Sequence, residues 1–184
     1  MTPVVLAFAG RIASGKSTIS QDVAEALCWP WVSFGDYVRV EARRRGLGES
    51  RATLQQVGDE LIAAGWESFC HAVLMHGNWH PGQPLIIDGI RHVEALQMLK
   101  DLVAPQRVLL VFIDVPDPVR AARLETRGVT MDEQQQRDRH ASEAQVQTML
   151  PVLADRILDS TRPVADLTLD ITHWVEQCVR EKPV

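Results

Sequence analysis

An α/β fold, with a five-stranded parallel sheet and helices on both faces, is what this sequence predicts, and three observations carry the prediction. Apolar runs alternate with segments whose apolar residues recur at helical spacing. The runs are nearly continuous in hydrophobicity, as strands covered on both faces are. The first of them, Val4-Val5-Leu6-Ala7-Phe8-Ala9, passes directly into Gly10-Arg11-Ile12-Ala13-Ser14-Gly15-Lys16-Ser17, a glycine-rich turn ahead of a helix.

The elements follow in order. Ile19, Val23 and Leu27 have the spacing of a helix packed on the first strand. Trp31-Val32-Ser33-Phe34, after Pro30, reads as a short second strand. Gly35-Asp36-Tyr37-Val38-Arg39 leads into a helix over Val40-Glu41-Ala42-Arg43-Arg44-Arg45, stopped by Gly46 and Gly48. Ser50 caps another helix with Leu54, Val57 and Leu61 on one face. Phe69 and Val73 mark a helical piece after Gly65, and Asn78-Trp79-His80-Pro81-Gly82 is a loop by its turn chemistry. Pro84-Leu85-Ile86-Ile87-Asp88 is the third strand, Val93 to Leu102 a helix, and Val108 to Asp114 the fourth strand. Pro116 to Arg127 is helical and basic on one side, and Met131 to Asp159 is long and polar, with Pro151 a helix start or kink. Ala165-Asp166-Leu167-Thr168-Leu169 is expected as the fifth strand and Ile171 to Arg180 as a closing helix.

Composition bounds the rest. The chain has 184 residues, 46% hydrophobic and 23% charged, enough for one domain over residues 1–184 and short for two. A formal net charge of −5 argues against a broad nucleic-acid footprint, which needs a basic face. Cys28, Cys70 and Cys178 fit neither a disulfide framework nor a zinc knuckle; each lies in a helical pattern, as a small buried hydrophobe would. Met1-Thr2-Pro3 lacks a basic n-region, so the first apolar run is expected as a core strand rather than a signal or membrane span, and the cytoplasm as the location.

The glycine-rich turn carries the chemistry. A glycine at each end lets the loop curl until its N–H groups point at a polyphosphate, and the following helix starts with unpaired amides facing the same anion. The cradle spans Gly10, Ala13, Ser14, Gly15, Lys16, Ser17 and Thr18, with Lys16 reaching the β- and γ-phosphates of ATP and Ser17 placed to ligate Mg²⁺. Asp88, closing an apolar strand, is the second Mg²⁺ candidate. The whole is a three-layer P-loop NTPase fold.

Beyond this loop the chain resembles the adenylate kinases. Gly35-Asp36-Tyr37-Val38-Arg39 resembles their Gly-Asp-x-x-Arg element, Asp88-Gly89-Ile90-Arg91 their Asp-Gly-Phe-Pro-Arg element one residue shorter, and Arg123-Leu-Glu-Thr-Arg127 the arginine pair that opens their lid. The resemblance spans roughly residues 3 to 127, and the dephospho-CoA kinases share the same general plan. It implies acceptor-binding helices over about residues 35–80 and a small helical lid over about 120–140. It further implies that Arg39 and Arg91 hold the acceptor phosphate, that Arg127 contacts the donor phosphates, and that Arg123 lies against the donor base. Arg120, Arg137 and Arg139 are further candidates, since lids contribute arginines from both flanks. The short Gly128-Val129-Thr130 segment and the lack of a cysteine cluster there make Mg²⁺ the only metal expected.

Asp36 separates two acceptors. A nucleoside monophosphate offers an ionised oxygen and needs no base, leaving Asp36 to cap its helix; a hydroxyl acceptor needs a carboxylate to take its proton. The wording of the motif favours the monophosphate. A third reading is an ATPase or switch acting on a protein partner, but Gly89 follows Asp88 where a water-positioning glutamate would stand, and no Asn-Lys-x-Asp occurs. Arg43 to Arg45 read as a solvated helix face, Asp114 as a strand-ending turn, and His76 and His80 as structural or surface histidines. Trp29, Trp31, Trp66 and Trp79 are expected mostly in the core.

Overall fold

The computed structural model describes residues 3–129 and 141–180. Its elements are β1 (Val4–Gly10), α1 (Lys16–Leu27), β2 (Trp31–Ser33), α2 (Phe34–Arg44), α3 (Arg51–Ala63), α4 (Trp66–His76) and β3 (Leu85–Ile90). They continue with α5 (Val93–Leu102), β4 (Arg107–Asp114), α6 (Asp117–Thr126), α7 (Ala141–Thr148), α8 (Leu150–Leu153), β5 (Arg156–Asp159) and α9 (Val164–Arg180). The five strands form one sheet in the order β2-β3-β1-β4-β5, all pairs parallel. The fold class is the one the sequence predicts.

Strand β1 sits at the centre, and every one of its residues is buried. Its alternate side chains divide the core. Val5, Ala7 and Ala9 face Phe69, Val73, Leu96 and Leu99 on one side, while Val4, Leu6 and Phe8 face Ile19, Val23, Leu167 and Ile171 on the other. Each fully buried Val, Leu, Ile or Phe contributes on the order of 1.5–3 kcal/mol, so a sheet covered on both faces needs no further staple. Because β1 lies between β3 and β4, the loop after Gly10 emerges beside the end of β3, where Phe8 is in register with Asp88.

Three boundaries differ from the sequence reading. The fifth strand is Arg156–Asp159, and Ala165 to Leu169 lies inside α9. Leu167, Ile171 and Val175 bury at intervals of one helical turn and override the short apolar run. The true β5 is a four-residue edge strand in which only Leu158 is buried, too little apolar surface to signal a strand. Helix α2 begins at Phe34, which ends β2 one residue early, and its cap is Ser33, whose Oγ accepts from the Asp36 N–H at 3.3 Å. Asp36 is therefore in the first turn and is not the cap. Of the cysteines, Cys70 is buried as expected, but Cys28 is exposed in the left-handed turn that closes α1.

Arg43, Arg44 and Arg45 do more than face solvent. Glu41, buried on α2, accepts from Arg44 and Arg45, and Arg45 also pairs with Glu60 on α3. These hydrogen bonds hold the Glu41 carboxyl down at about 2. Among the described residues no helix is long and apolar enough to cross a membrane.

Candidate functional site

The loop between β1 and α1 is held open from behind. At Gly10 a Cβ would lie 2.7 Å from the Ile113 carbonyl oxygen and 2.8 Å from Ser14 Oγ, so only glycine fits. Gly15, at φ 89°, precedes α1 without any side-chain cap, which leaves the first amides of the helix for an anion. Arg120 Nε donates to the Ile12 carbonyl at 3.2 Å, and Arg123 donates to the carbonyls of Ala13 and Ser14 at 3.2 and 3.0 Å. A trans peptide points its C=O and N–H in opposite directions, so anchoring three carbonyls on α6 turns the next N–H groups away from α6. Arg123 also donates to Ser160 Oγ at 3.1 Å and to the Ser160 carbonyl at 2.8 Å, tying the loop to the turn after β5.

At the loop's exit three side chains converge. Ser17 Oγ donates to Asp88 Oδ2 at 2.6 Å, and Lys16 Nζ lies 3.5 Å from Oδ1. Asp88 is 3% exposed, and its Oδ1 has no hydrogen-bond donor; the lysine supplies charge at a distance too long for one. A hydroxyl beside a buried carboxylate with an unfilled oxygen is a hard, oxygen-only donor set. It fits Mg²⁺, which takes one or two protein oxygens and fills the rest of its shell with water and phosphate. Ser14 Oγ is likewise buried without a partner, inside the loop. Thr18 is exposed in the first turn of α1.

This convergence lies at one end of a cavity of about 700 Å³ between the loop, α2, α3, α4 and the end of β3. Arg39 and Arg91 both line it, as does Asp36, whose carboxylate pairs with Arg39 at 2.5 Å. Arg51, the first residue of α3, is a third cation there that the sequence reading missed. The only trace of it is its place directly after the Ser50 cap, whose Oγ accepts from the Thr53 N–H at 3.2 Å. Phe34, Trp66 and Phe69 form an aromatic side of the cavity, Phe34 edge-on to Phe69 with centroids 5.2 Å apart and Trp66 stacked on Phe69 at 6.3 Å. Trp31 also reaches the cavity, while Trp79 is buried and donates to the Gln83 carbonyl at 2.9 Å. His76 lies against the Tyr37 ring, and Asp114 accepts from the Val115 N–H at the end of β4, outside the cavity lining.

The structure thus gathers Lys16, Ser17, Asp88, Asp36, Arg39 and Arg91 around one cavity and places Arg120 and Arg123 behind the loop. Arg127 ends α6, exposed and outside the cavity lining. Arg137 and Arg139, with much of the expected lid, lie outside the described residues. The role of Ser160 was not visible in the sequence, because its partner Arg123 is 37 residues away.

Residues 6–149 match a family model described as an AAA domain. A UPF0200 protein of Pyrobaculum aerophilum is 32% identical over 128 residues, covering 70% of this chain and 68% of that one. One of Methanothrix thermoacetophila is 33% identical over the same shares. Among solved structures, a putative kinase from Chloroflexus aurantiacus superposes with a TM-score of 0.64 at 24% identity, covering 97% of both chains. The shikimate kinase of Aquifex aeolicus gives 0.60 at 17% identity, covering 97% of this chain and 100% of that one. A gluconokinase of Sinorhizobium meliloti gives 0.54 at 19%, covering 96% and 94%. These likenesses show the fold of the P-loop kinases.

Proposed function

The chain belongs to the AAA-domain family and to the UPF0200 family, and on that premise we propose that it is an ATP-dependent phosphotransferase. In this reading it moves the γ-phosphoryl group of ATP to a small nucleotide-like acceptor, a nucleoside monophosphate above all. The observation that carries the reading is the single cavity in which Lys16, Ser17 and Asp88 stand at one end and Arg39, Arg51 and Arg91 line the walls.

Phosphoryl transfer asks the protein for position and charge. The amides of residues 13–18 and Lys16 hold the donor's phosphates, with Arg120 and Arg123 keeping the loop in shape. Ser17 and Asp88 would hold Mg²⁺, which would supply neutralisation of the phosphates' negative charge. Arg39 and Arg91 grip the acceptor phosphate, a task suited to a planar, permanently charged fork. An oxygen of that phosphate bonds to the γ-phosphorus as the bond from phosphorus to the β,γ-bridging oxygen breaks. ADP leaves and the acceptor becomes a diphosphate, with no proton to remove. The Asp36–Arg39 pair then has a purpose: it stores Arg39 in place until the acceptor's phosphate displaces the carboxylate. Arg127, exposed at the end of α6, is assigned to the donor phosphates by the resemblance to adenylate kinases alone. The cytoplasm, where ATP and Mg²⁺ abound, suits this activity, and no nucleic-acid partner is part of it.

A second reading has its own observation. The solved neighbours include shikimate kinases and a gluconokinase, whose acceptors are hydroxylated, and Asp36 lines the cavity where a base for a hydroxyl would be needed. ADP release from Mg-ATP against nucleoside monophosphates, dephospho-CoA, shikimate and gluconate separates the two. Stimulation by one monophosphate supports the first; stimulation by a hydroxyl acceptor alone replaces it; silence across the panel with ATP still bound points to an ATPase that acts on a protein partner.

A further inference from the structure

Helix α3 contains a glycine that its own packing does not explain. Gly58 lies in the interior of Arg51–Ala63, where glycine is less favourable than alanine, and it has no left-handed backbone that would demand it. A Cβ built there would meet no atom within 4 Å beyond its own helix. Crowding is therefore not the reason for its small size. What lies over it is the cavity, which Gly58 lines together with Leu54 and Ile62, one turn to either side. The adjoining row on the same helix, Arg51, Gln55 and Asp59, also lines the cavity, and Gln55 Nε2 donates to Asp59 Oδ1 at 3.0 Å.

We propose that this face of α3 is a slot for the acceptor's base. A flat heterocycle lies on the bare backbone at Gly58, between Leu54 and Ile62, where any side chain would stand in its plane. Its edge meets Gln55 and Asp59, and its phosphate runs to Arg39, Arg51 and Arg91. The inference rests on the nucleotide-acceptor reading and narrows it. A carboxylate accepts and never donates, so Asp59 selects bases that present an exocyclic amino group, while the Gln55 amide serves either kind of edge. A compact polyol has no flat surface to set against the Leu54–Gly58–Ile62 row.

The test compares the wild type with Gly58→Ala and Gly58→Leu. Binding of AMP, GMP, CMP and UMP is measured by calorimetry beside ribose 5-phosphate, which has the phosphate and sugar without a base. ADP release is followed with the same compounds. The wild type is expected to bind an amino-bearing monophosphate at least about tenfold more tightly than ribose 5-phosphate. Gly58→Leu is expected to erase that advantage to within about twofold while the KM for ATP stays unchanged. Gly58→Ala should raise Tm by about 2–4 °C, as a better helix former, and yet weaken the monophosphate severalfold. A packing role could not move stability and acceptor binding in opposite directions. Equal binding of ribose 5-phosphate and every monophosphate by the wild type overturns the slot, as does unchanged monophosphate binding in both variants. Binding that depends on Gly58 without ADP release from any acceptor sinks the kinase reading and leaves the slot standing. ADP release with an acceptor indifferent to Gly58 does the reverse.

Discussion

Ser17 and Asp88 are 71 residues apart in sequence and share a hydrogen bond of 2.6 Å, with Lys16 Nζ 3.5 Å from the carboxylate's other oxygen. Parallel pairing of β1 with β3 makes the contact, because it sets Phe8 beside Asp88 and lets the loop after Gly10 arch over the strand end. Donor binding is expected to break the Lys16–Asp88 contact and send Lys16 to the phosphates. Lys16→Ala should abolish ADP release with every acceptor while the protein still folds, as a cooperative thermal transition would show. An active Lys16→Ala protein would remove the phosphate loop from the mechanism.

Asp88→Asn keeps the shape of the side chain and removes its charge. It should lower kcat/KM by at least about 100-fold and shift the Mg²⁺ dependence to higher concentration, as expected when a metal-holding oxygen is lost. Titrating Mg²⁺ against ADP release at fixed ATP checks this. An unchanged Mg²⁺ midpoint would take Asp88 out of the metal site.

Arg123 joins the phosphate loop to Ser160 through four hydrogen bonds, all to the Ala13, Ser14 and Ser160 oxygens. Lysine keeps the charge but cannot span these acceptors with one fork. Arg123→Lys is expected to raise the KM for ATP about tenfold and leave the acceptor KM within about twofold. Steady-state kinetics with each substrate varied in turn reads both. An equal rise in the two constants would assign Arg123 a general structural role.

The parts of this arrangement visible in sequence are those encoded locally. The phosphate loop is a contiguous pattern between a buried strand and an amphipathic helix, and Asp88 ends an apolar run. Both are therefore legible in the sequence alone. The acceptor face of α3 was hidden because periodicity reports what a helix buries. Val57 is buried and Leu61 packs at the margin of the core, so they set the apparent face. Arg51, Gln55, Gly58 and Asp59 look outward into a cavity that exists only once α2 and α4 have docked. Strand β5 failed for the same reason in reverse. An edge strand with Ile157 53% exposed has almost no apolar signature, whereas the start of α9 imitates a strand over five residues.

Arg91 follows β3 and lines the cavity beside Asp88. If it binds the acceptor phosphate, Arg91→Ala should raise the acceptor KM on the order of 100-fold and change the KM for ATP much less. Arg91→Lys should recover part of the loss, because charge returns without the bidentate geometry. Equal losses for donor and acceptor would place Arg91 on the transferring phosphoryl group instead.

Glu41 gives a stability test independent of activity. Its carboxyl is held at about 2 in the folded protein, first by hydrogen bonds from Arg44 and Arg45, against 4.5 for an ordinary glutamate. A depressed carboxyl stabilises the fold fully above its unfolded value, and the contribution fades as pH falls through the folded value. The arginines are partly exposed, which screens the pair, so the gain is put at about 1 kcal/mol. Glu41→Gln should therefore unfold at lower urea than the wild type at pH 7, with an unchanged slope. Between about pH 4.5 and pH 2 the two midpoints should converge. A difference that persists undiminished at pH 2 would mean that Glu41 acts through packing alone, and that the tie between α2 and α3 does not depend on its charge.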